Sequence, residues 1–393
     1  YFDPIKKDIS VNILRIMFPY LALISLVSFA AGIQNTHNKF SIPAFTPIIF
    51  NLSLIIAAIF IAPMYEMPIY VLAWGVLLAG IFQLLLQLIP LRQINRLPIP
   101  KLNINNEGVN QFFKLILPAI LAGGIIQINL LVDTIFASLL ETGSPTWLYV
   151  SDRLIQFPMG IFAIAVGTIL LPTLSKFDLS YEKDKFISGI QKGQRFVLFI
   201  GIPSLIGLFF CAEDLISTIF YRGAFTESDV INSSYSLMAF SIGLPFFMLM
   251  KVLTPAFFAR KDTKTPMYVA FVSLILNALL NYYLAFVLDY GHVGIAIGSS
   301  IAAIISVCVL EIVLHRNGFI EFKSIFNKFN LNILVSNLFL IIFLYFYTSQ
   351  IDFIKLNQIE RFFNLLFEVT VSVFIYFSIS RLILKKPLRL LFD

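Results

Sequence analysis

An aspartate and an arginine stand side by side, Asp152 and Arg153, about two turns into a helix-like stretch whose remainder, Phe157 to Leu174, carries no charge. An ionised side chain at membrane depth costs about 2.5–3.5 kcal/mol on insertion scales, so such groups face a water-filled cavity or a partner inside a bundle. The pair therefore marks the wall of a polar cavity; the plainer reading is an Asp–Arg pair near the outer interface that only orients its helix. A second set is Asp133, Asn277 and Asn281. The i, i+4 spacing of the asparagines places both amides on one helical face. A carboxylate with two amide oxygens is the hard-oxygen set a small cation prefers, so the three residues are a candidate Na⁺ site, or Asp133 alone a proton carrier. The competing reading is packing: asparagines that hydrogen-bond across helices, with Asp133 near the outer interface. Lys251 lies within an otherwise apolar run. It either reaches the cavity or snorkels to the cytoplasmic headgroups.

Residues of these types need elements that hold them at depth. The 393-residue chain is 59% hydrophobic and 13% charged, with a mean hydropathy of +0.88. A soluble domain carries about 25% charged residues, so the composition predicts an all-α, polytopic membrane protein. Apolar runs of about 20 residues predict eleven spans, near 11–34, 46–63, 68–90, 111–140, 145–174, 187–211, 232–258, 267–288, 293–315, 330–348 and 362–384. The net charge of +6 sits in short loops between these runs, which is a membrane-topology pattern and not a nucleic-acid footprint. Cys211 and Cys308 lie singly, and His37, His292 and His315 are far apart. Neither a disulfide framework nor a metal site is indicated.

Of the 28 lysines and arginines, twenty fall in loops on one side and six on the other, with Arg153 and Lys251 inside spans. The positive-inside rule makes the first side cytoplasmic, which puts the C-terminus inside and Tyr1 outside. Shifting the chain by 223 residues lays Pro43 on Pro266, Ala73 on Ala296, Gly75 on Gly298, Ala79 on Ala302 and Ile81 on Ile304. Both copies share one orientation, as in the parallel repeats of two-lobed transporters. Three helices, 111–211, precede the second copy. Their counterparts would require roughly 110 residues before Tyr1, so the chain reads as an N-terminally truncated one, eleven helices of fourteen. The expected organisation is 1–110 as the remainder of an N-terminal lobe, 111–315 as a six-helix C-terminal lobe, and 316–393 as two additional helices with a cytoplasmic tail.

Three stretches carry a resemblance: NTHNKFSIPAFTPIIFN (35–51), DRLIQFPMGIFAIAVGTILLPTLS (152–175) and KVLTPAFFARKDTKTP (251–266), supported by YRGAFTESD (221–229). Together they resemble the MurJ (MviN) family, flippases for the lipid-linked peptidoglycan precursor, within the multidrug/oligosaccharidyl-lipid/polysaccharide exporter superfamily. The resemblance implies fourteen helices in two six-helix lobes plus two. It also implies that the precursor, an undecaprenyl-diphosphate-linked glycopeptide (lipid II), crosses the inner membrane by alternating access, with membrane lipids as the other partner and no nucleic acid. A groove for the lipid tail on the two extra C-terminal helices is implied as well. Only Asp152 and Arg153 match the cavity motif; an acidic position that the family places one turn later is Gln156 here. A diphosphate suits a planar, permanently charged, bidentate donor, which is arginine, and Asp152 could hold the guanidinium when no substrate is bound. The substrate-binding candidates are thus Arg153, Asp152 and Lys251.

Lys39, Arg260, Asp262 and Lys264 lie in the two matching cytoplasmic turns and read either as anchors or as paired gate elements. Pro158 with Gly160, and Gly123 with Gly124, read as bends for alternating access or as simple packing. Gly291, Gly294 and Gly298 read as a helix start and small-residue packing, since no strand precedes them as a nucleotide loop requires. Without a nucleotide motif, energy must come from ions, Na⁺ or H⁺, or from membrane potential. A monomer with no cofactor, multi-pass in the bacterial inner membrane, is expected. The rival readings are a related exporter of drugs or of another polysaccharide-lipid, a transferase, which would need clustered carboxylates on a loop, and a non-transporting scaffold.

Overall fold

Inside lipid no water satisfies a backbone amide, so a chain this apolar closes its hydrogen bonds within helices. The computed structural model describes residues 4–37, 39, 41–94, 97, 124, 127–178, 181–320 and 328–384, and every regular element among them is helical. Nine helices among the described residues are long and apolar enough to cross a membrane, and Ile333–Thr348 adds a shorter apolar one. The expected span at 111–140 is described only in its last part, as helix over 127–138; Gly123 lies outside the described residues. The chain divides into two compact units, Tyr1–Val109 and Asn110–Asp393.

In the first unit, α1 (Pro4–Met17) and α2 (Tyr20–Thr36) form one span bent at Phe18–Pro19. Proline cannot donate to the ladder, and the bend follows from that. After them come α3 (Ser41–Ile56) and α4 (Pro68–Gln93). Helix α4 is the packing centre of the unit: Ala73, Ala79, Gln83 and Gln87 are buried against α2 and α3.

The second unit continues with α5 (127–138), α6 (Ser144–Pro158), α7 (Ile164–Leu174), α8 (Lys183–Phe210), α9 (Ala212–Phe220), α10 (Glu227–Ala259), α11 (Lys264–Tyr282), α12 (Gly291–Arg316), α13 (Lys328–Thr348) and α14 (Gln358–Leu384). Helix α10 is its spine, packing against α6, α7, α8, α9 and α12. Its buried side mixes large apolar residues such as Leu237, Leu244 and Met248 with small ones that let neighbours close in: Ser233, Ser236 and Ser241 are fully buried. At Gly243 an added Cβ would meet Ser300 Oγ at 2.7 Å and Ser300 Cα at 2.9 Å. Gly243→Ala is therefore expected to push α12 off α10 and cost about 1–3 kcal/mol. A lowered midpoint of thermal unfolding in detergent checks it.

Two boundaries differ from the sequence reading. Residues 212–231 read as an outer loop, yet Ala212–Phe220 is a helix with Ala212, Asp214, Ile216 and Ser217 buried, too short for a span-length window to detect. Helix α10 starts at Glu227 and not near 232, because Thr226 and Asp229 form a capping box that satisfies the first amides. The expected bend at Pro158 is a π-helical turn, Met159–Ala163, between α6 and α7. Gly160 there has no neighbour within 4 Å, so it serves no close packing.

The internal repeat is visible in the backbone. A shift of 223 residues lays the start of α3, Ser41, on that of α11, Lys264, and lays α4, Pro68–Gln93, on α12, Gly291–Arg316, end to end. The turns agree too: Lys39 N–H donates to Gln34 C=O at 2.9 Å, and in the same register Asp262 N–H donates to Phe257 C=O at 3.0 Å. Each unit also carries a π-helical turn after the first helix of the pair, Ala57–Ile61 and Tyr283–Val287.

Candidate functional site

The structure brings Asp133, Asn277 and Asn281 together. The Asn281 amide nitrogen donates to Asp133 Oδ1 at 2.6 Å and to Asn277 Oδ1 at 2.9 Å. The Asn277 amide in turn donates to Ser299 Oγ at 3.0 Å, and Asn129, one turn before Asp133, donates to Asp133 Oδ2 at 3.5 Å. Helices α5, α11 and α12 thus meet at one polar knot inside an otherwise apolar unit. Asn277 and Asn281 are 2% and 0% exposed. Gly298 makes the knot possible, since a Cβ there would collide with Asn281 Oδ1. That same Oδ1 is buried without a hydrogen-bond partner. An unpaired buried amide oxygen costs about 1–3 kcal/mol, so an oxygen with no donor among the described residues, within a hard-oxygen set, is one a small cation would use. Sequence spacing alone pointed to the two asparagines; Asn129 and Ser299 were not singled out, although Asn129 lies i−4 from Asp133.

Asp152 and Arg153 are arranged differently from the expected ion pair. Asp152 is half-buried and accepts from Gln156 Nε2 at 3.4 Å, one turn on. Arg153 is exposed on the surface of its unit, its guanidinium 4.6 Å over the Tyr149 ring. Neighbours at i and i+1 point away from each other on a helix, and the ion pairs among the described residues are Lys185–Glu182 and Lys355–Asp352. The idea that Asp152 holds the guanidinium is corrected accordingly. Asp152 instead faces inward, close enough to Asp133 for the two carboxyl groups to interact. Its depth is set by Ser151, whose hydroxyl donates to Ser233 C=O at 2.7 Å and pins α6 to α10.

Lys251 is exposed on α10, and its backbone carbonyl is where an added Cβ on Gly167 would strike, at 2.7 Å. Gly167 lies fourteen residues beyond Arg153, roughly 20 Å along the helix axis. Lys251 and Arg153 are thus too far apart to grip one diphosphate, and the three substrate-binding candidates do not form a single site.

The turn between α10 and α11 is closed by its own hydrogen bonds. Asp262 accepts from the Thr265 backbone N–H at 3.0 Å and from its hydroxyl at 2.7 Å, bonds that hold its carboxyl below the usual carboxylate range. Arg260 lies 4.0 Å over the Phe319 ring, with Lys183 over the same ring at 5.0 Å. Lys264 and Lys39 are exposed. These contacts tie α10 to the segment after α12 and leave both readings, anchor and gate, standing.

Two polar clusters escaped the sequence reading. In the first unit the Gln34 amide donates to Gln87 Oε1, Gln87 donates to Thr46 Oγ1 at 2.7 Å, and Gln83 donates to Thr46 C=O at 3.1 Å, all buried. The only available signal was two glutamines one turn apart in an apolar run. Near the starts of α6, α10 and α12, Trp147 Nε1 donates to Asp229 Oδ1 at 2.7 Å and its ring meets His292 at 4.7 Å. Gly143, at φ 114°, provides the left-handed turn beneath that indole.

Repeated helix pairs and charged groups within apolar helices are features shared with membrane transporters. A family model described as "MurJ: Lipid II flippase MurJ" matches residues 1–364. The chain is 41% identical over 313 residues to a probable lipid II flippase MurJ of Vibrio cholerae, covering 80% of this chain and 59% of that one. It is 34% identical over 381 residues to the Haemophilus influenzae counterpart, covering 95% and 74%. A solved structure described as lipid II flippase MurJ, inward closed conformation, superposes with a TM-score of 0.77 at 28% identity, covering 95% of this chain and 74% of that one. This chain belongs to the MurJ lipid II flippase family. It spans about three fifths of the Vibrio cholerae relative's length.

Proposed function

We propose that this chain is the larger part of a flippase that carries the lipid-linked peptidoglycan precursor, lipid II, from the inner to the outer leaflet of the bacterial inner membrane. The observation that supports it most is family membership along residues 1–364, and the relatives' printed names describe lipid II flippases. In this reading the head group occupies an aqueous path while the tail stays in the bilayer. Arg153 offers its free guanidinium edge to the diphosphate, and the exposed Lys251 meets an anionic group at the opposite depth. Reconstituted full-length protein that fails to move lipid II faster than protein-free vesicles would reject the proposal.

The Asp133–Asn277–Asn281 knot is proposed as the coupling site. Its residues fit a small hard cation: one carboxylate, the Asn277 and Asn281 amide oxygens and the Ser299 hydroxyl on three helices. A bound Na⁺ would supply charge compensation for the carboxylate. What the chain itself supplies is the gathering of α5, α11 and α12 and the exclusion of lipid from the polar set. Proton coupling through Asp133 alone is the second reading, favoured by its interaction with Asp152.

The protein is proposed to work as a monomer, with the C-terminus and the cation-rich loops in the cytoplasm. Single cysteines on a Cys211/Cys308-free background check this. Positions 183 and 264 are expected to be shielded from an impermeant reagent in intact cells, while 66 and 289 react. Lys385, a further probe position on the cytoplasmic side, lies outside the described residues. The reversed labelling pattern would invert the topology.

A further inference from the structure

We propose that Asp214 and Glu368 form a proton-binding carboxyl pair that fastens the C-terminal helices to the rest of the second unit. The inference does not depend on the transported substrate. Glu368 is 0% exposed and Asp214 5%. Asp214 stands on the short outer helix α9, and Glu368 on α14, against which α9 packs. Both Glu368 carboxylate oxygens and Asp214 Oδ2 are buried with no donor among the described groups. The two carboxyl groups act on each other where α9 packs on α14, and the Cys211 thiol acts on Glu368. A donor between the two carboxyl groups has to come from a proton on one of them.

Among the described residues neither carboxyl group makes an ion pair. Arg361 on α14 is buried but committed: its Nε donates to Phe353 C=O at 2.7 Å, one Nη to Ile354 C=O at 2.8 Å and the other to Ser217 C=O at 3.4 Å, and its face lies 4.6 Å from the Tyr221 ring. Tyr347 on α13 interacts with both acids, but its hydroxyl is engaged with Asn364 at 3.3 Å. Glu213 adds a further negative group, and Cys211 stays a thiol because burial and Glu368 push it well up. Two carboxylates this close and this dry cannot both ionise. Burial, then the Glu368 charge, pushes Asp214 up to about 9. A metal ion fits the set less well than a proton, since Na⁺ and Ca²⁺ seek about six oxygen ligands and no group of three or more His, Cys, Asp or Glu able to hold a metal lies among the described residues.

The location gives the proton a consequence. The C-terminal helices are held elsewhere by Phe199, Phe329, Ile333 and Tyr376, with the Tyr376 hydroxyl donating to Phe199 C=O at 2.6 Å. Nearer the start of α14, the carboxyl pair joins the Arg361 Nη–Ser217 C=O bond, at 3.4 Å, in fastening that helix to α9. With the proton bound, the carboxyl–carboxyl bond closes the junction; without it, two negative charges repel across it. The sign of the linkage follows. The folded protein holds a proton that the unfolded chain releases near pH 4, so stability falls as pH rises from there to about 9 and levels above.

Infrared spectroscopy of the purified full-length protein tests this through the carbonyl stretch of a protonated, buried carboxylic acid. Expected is such a band in wild type at neutral pH that is lost in Glu368→Gln and in Asp214→Asn. The thermal midpoint of wild type should fall between pH about 6 and about 10, and that slope should flatten in either amide variant. If one variant does not fold, the other and the pH titration of the wild-type band carry the test. A fully ionised pair at neutral pH would overturn the proposal. So would an unchanged slope in a folded variant, or stabilisation of wild type by Na⁺ or Ca²⁺ that Glu368→Gln abolishes.

Discussion

Arg153→Glu is expected to abolish rescue of a strain depleted of its own lipid II flippase when introduced into the full-length gene product, at wild-type protein levels. Arg153→Ala is expected to weaken precursor binding about ten- to hundredfold, since each charge-assisted hydrogen bond to a phosphate oxygen contributes about 1.5–3 kcal/mol. The structure gives the reason for the asymmetry. The guanidinium is exposed and rests on Tyr149 with no ion-pair partner among the described residues, so removing it leaves no buried countercharge there and the fold is expected to survive. Glutamate at the same position adds repulsion against a diphosphate. Arg153→Lys should fall between wild type and alanine, because a point charge replaces a planar fork. Full rescue by Arg153→Glu would remove this residue from the head-group path.

Asp133→Asn is expected to produce the second large effect, a ten- to hundredfold loss of cation affinity with a matching loss of ion-dependent transport and little change in precursor binding at Arg153. Two readings of the knot separate cleanly. If Na⁺ is the ligand, Asn281→Ala should weaken the sodium dependence as well, because its Oδ1 is the buried, unpartnered oxygen of the set. If Asp133 carries a proton, Asn281→Ala should leave the ion specificity intact and shift only the pH profile. Both variants retaining wild-type ion and pH dependence would reduce the knot to a packing contact.

Much of the architecture was legible because the physics behind it is local. Span length follows from bilayer thickness, and the repeat register followed from a few small residues. Ala79 and Ala296 are fully buried, and Gly75 and Gly298 sit where a neighbouring helix leaves no room for a Cβ. Asn277 and Asn281 were legible from their i, i+4 spacing, and Asp133 from the cost of a carboxylate at depth. The partnership among them was only a hypothesis, since which helices meet is a tertiary fact. The orientation of Arg153 and Asp152 was not legible, because adjacency in sequence suggested an ion pair, whereas successive residues on a helix do not face each other. The Asp214–Glu368 pair was invisible: 154 positions separate the two residues, and α9 is too short to stand out from a loop. The glutamine cluster of the first unit escaped for a related reason, since neutral amides barely disturb a hydropathy profile.

The central claim, transport of a lipid-linked diphosphate driven by an ion held in the second unit, is tested most directly in sealed vesicles. Full-length protein is reconstituted with labelled lipid II, and the appearance of the label on the far leaflet is followed with and without a sodium or proton gradient. The account predicts protein-dependent translocation that accelerates with one of the gradients, loses that acceleration in Asp133→Asn and is lost in Arg153→Glu. Translocation no faster than in protein-free vesicles, or transport indifferent to both gradients and to both substitutions, would contradict it.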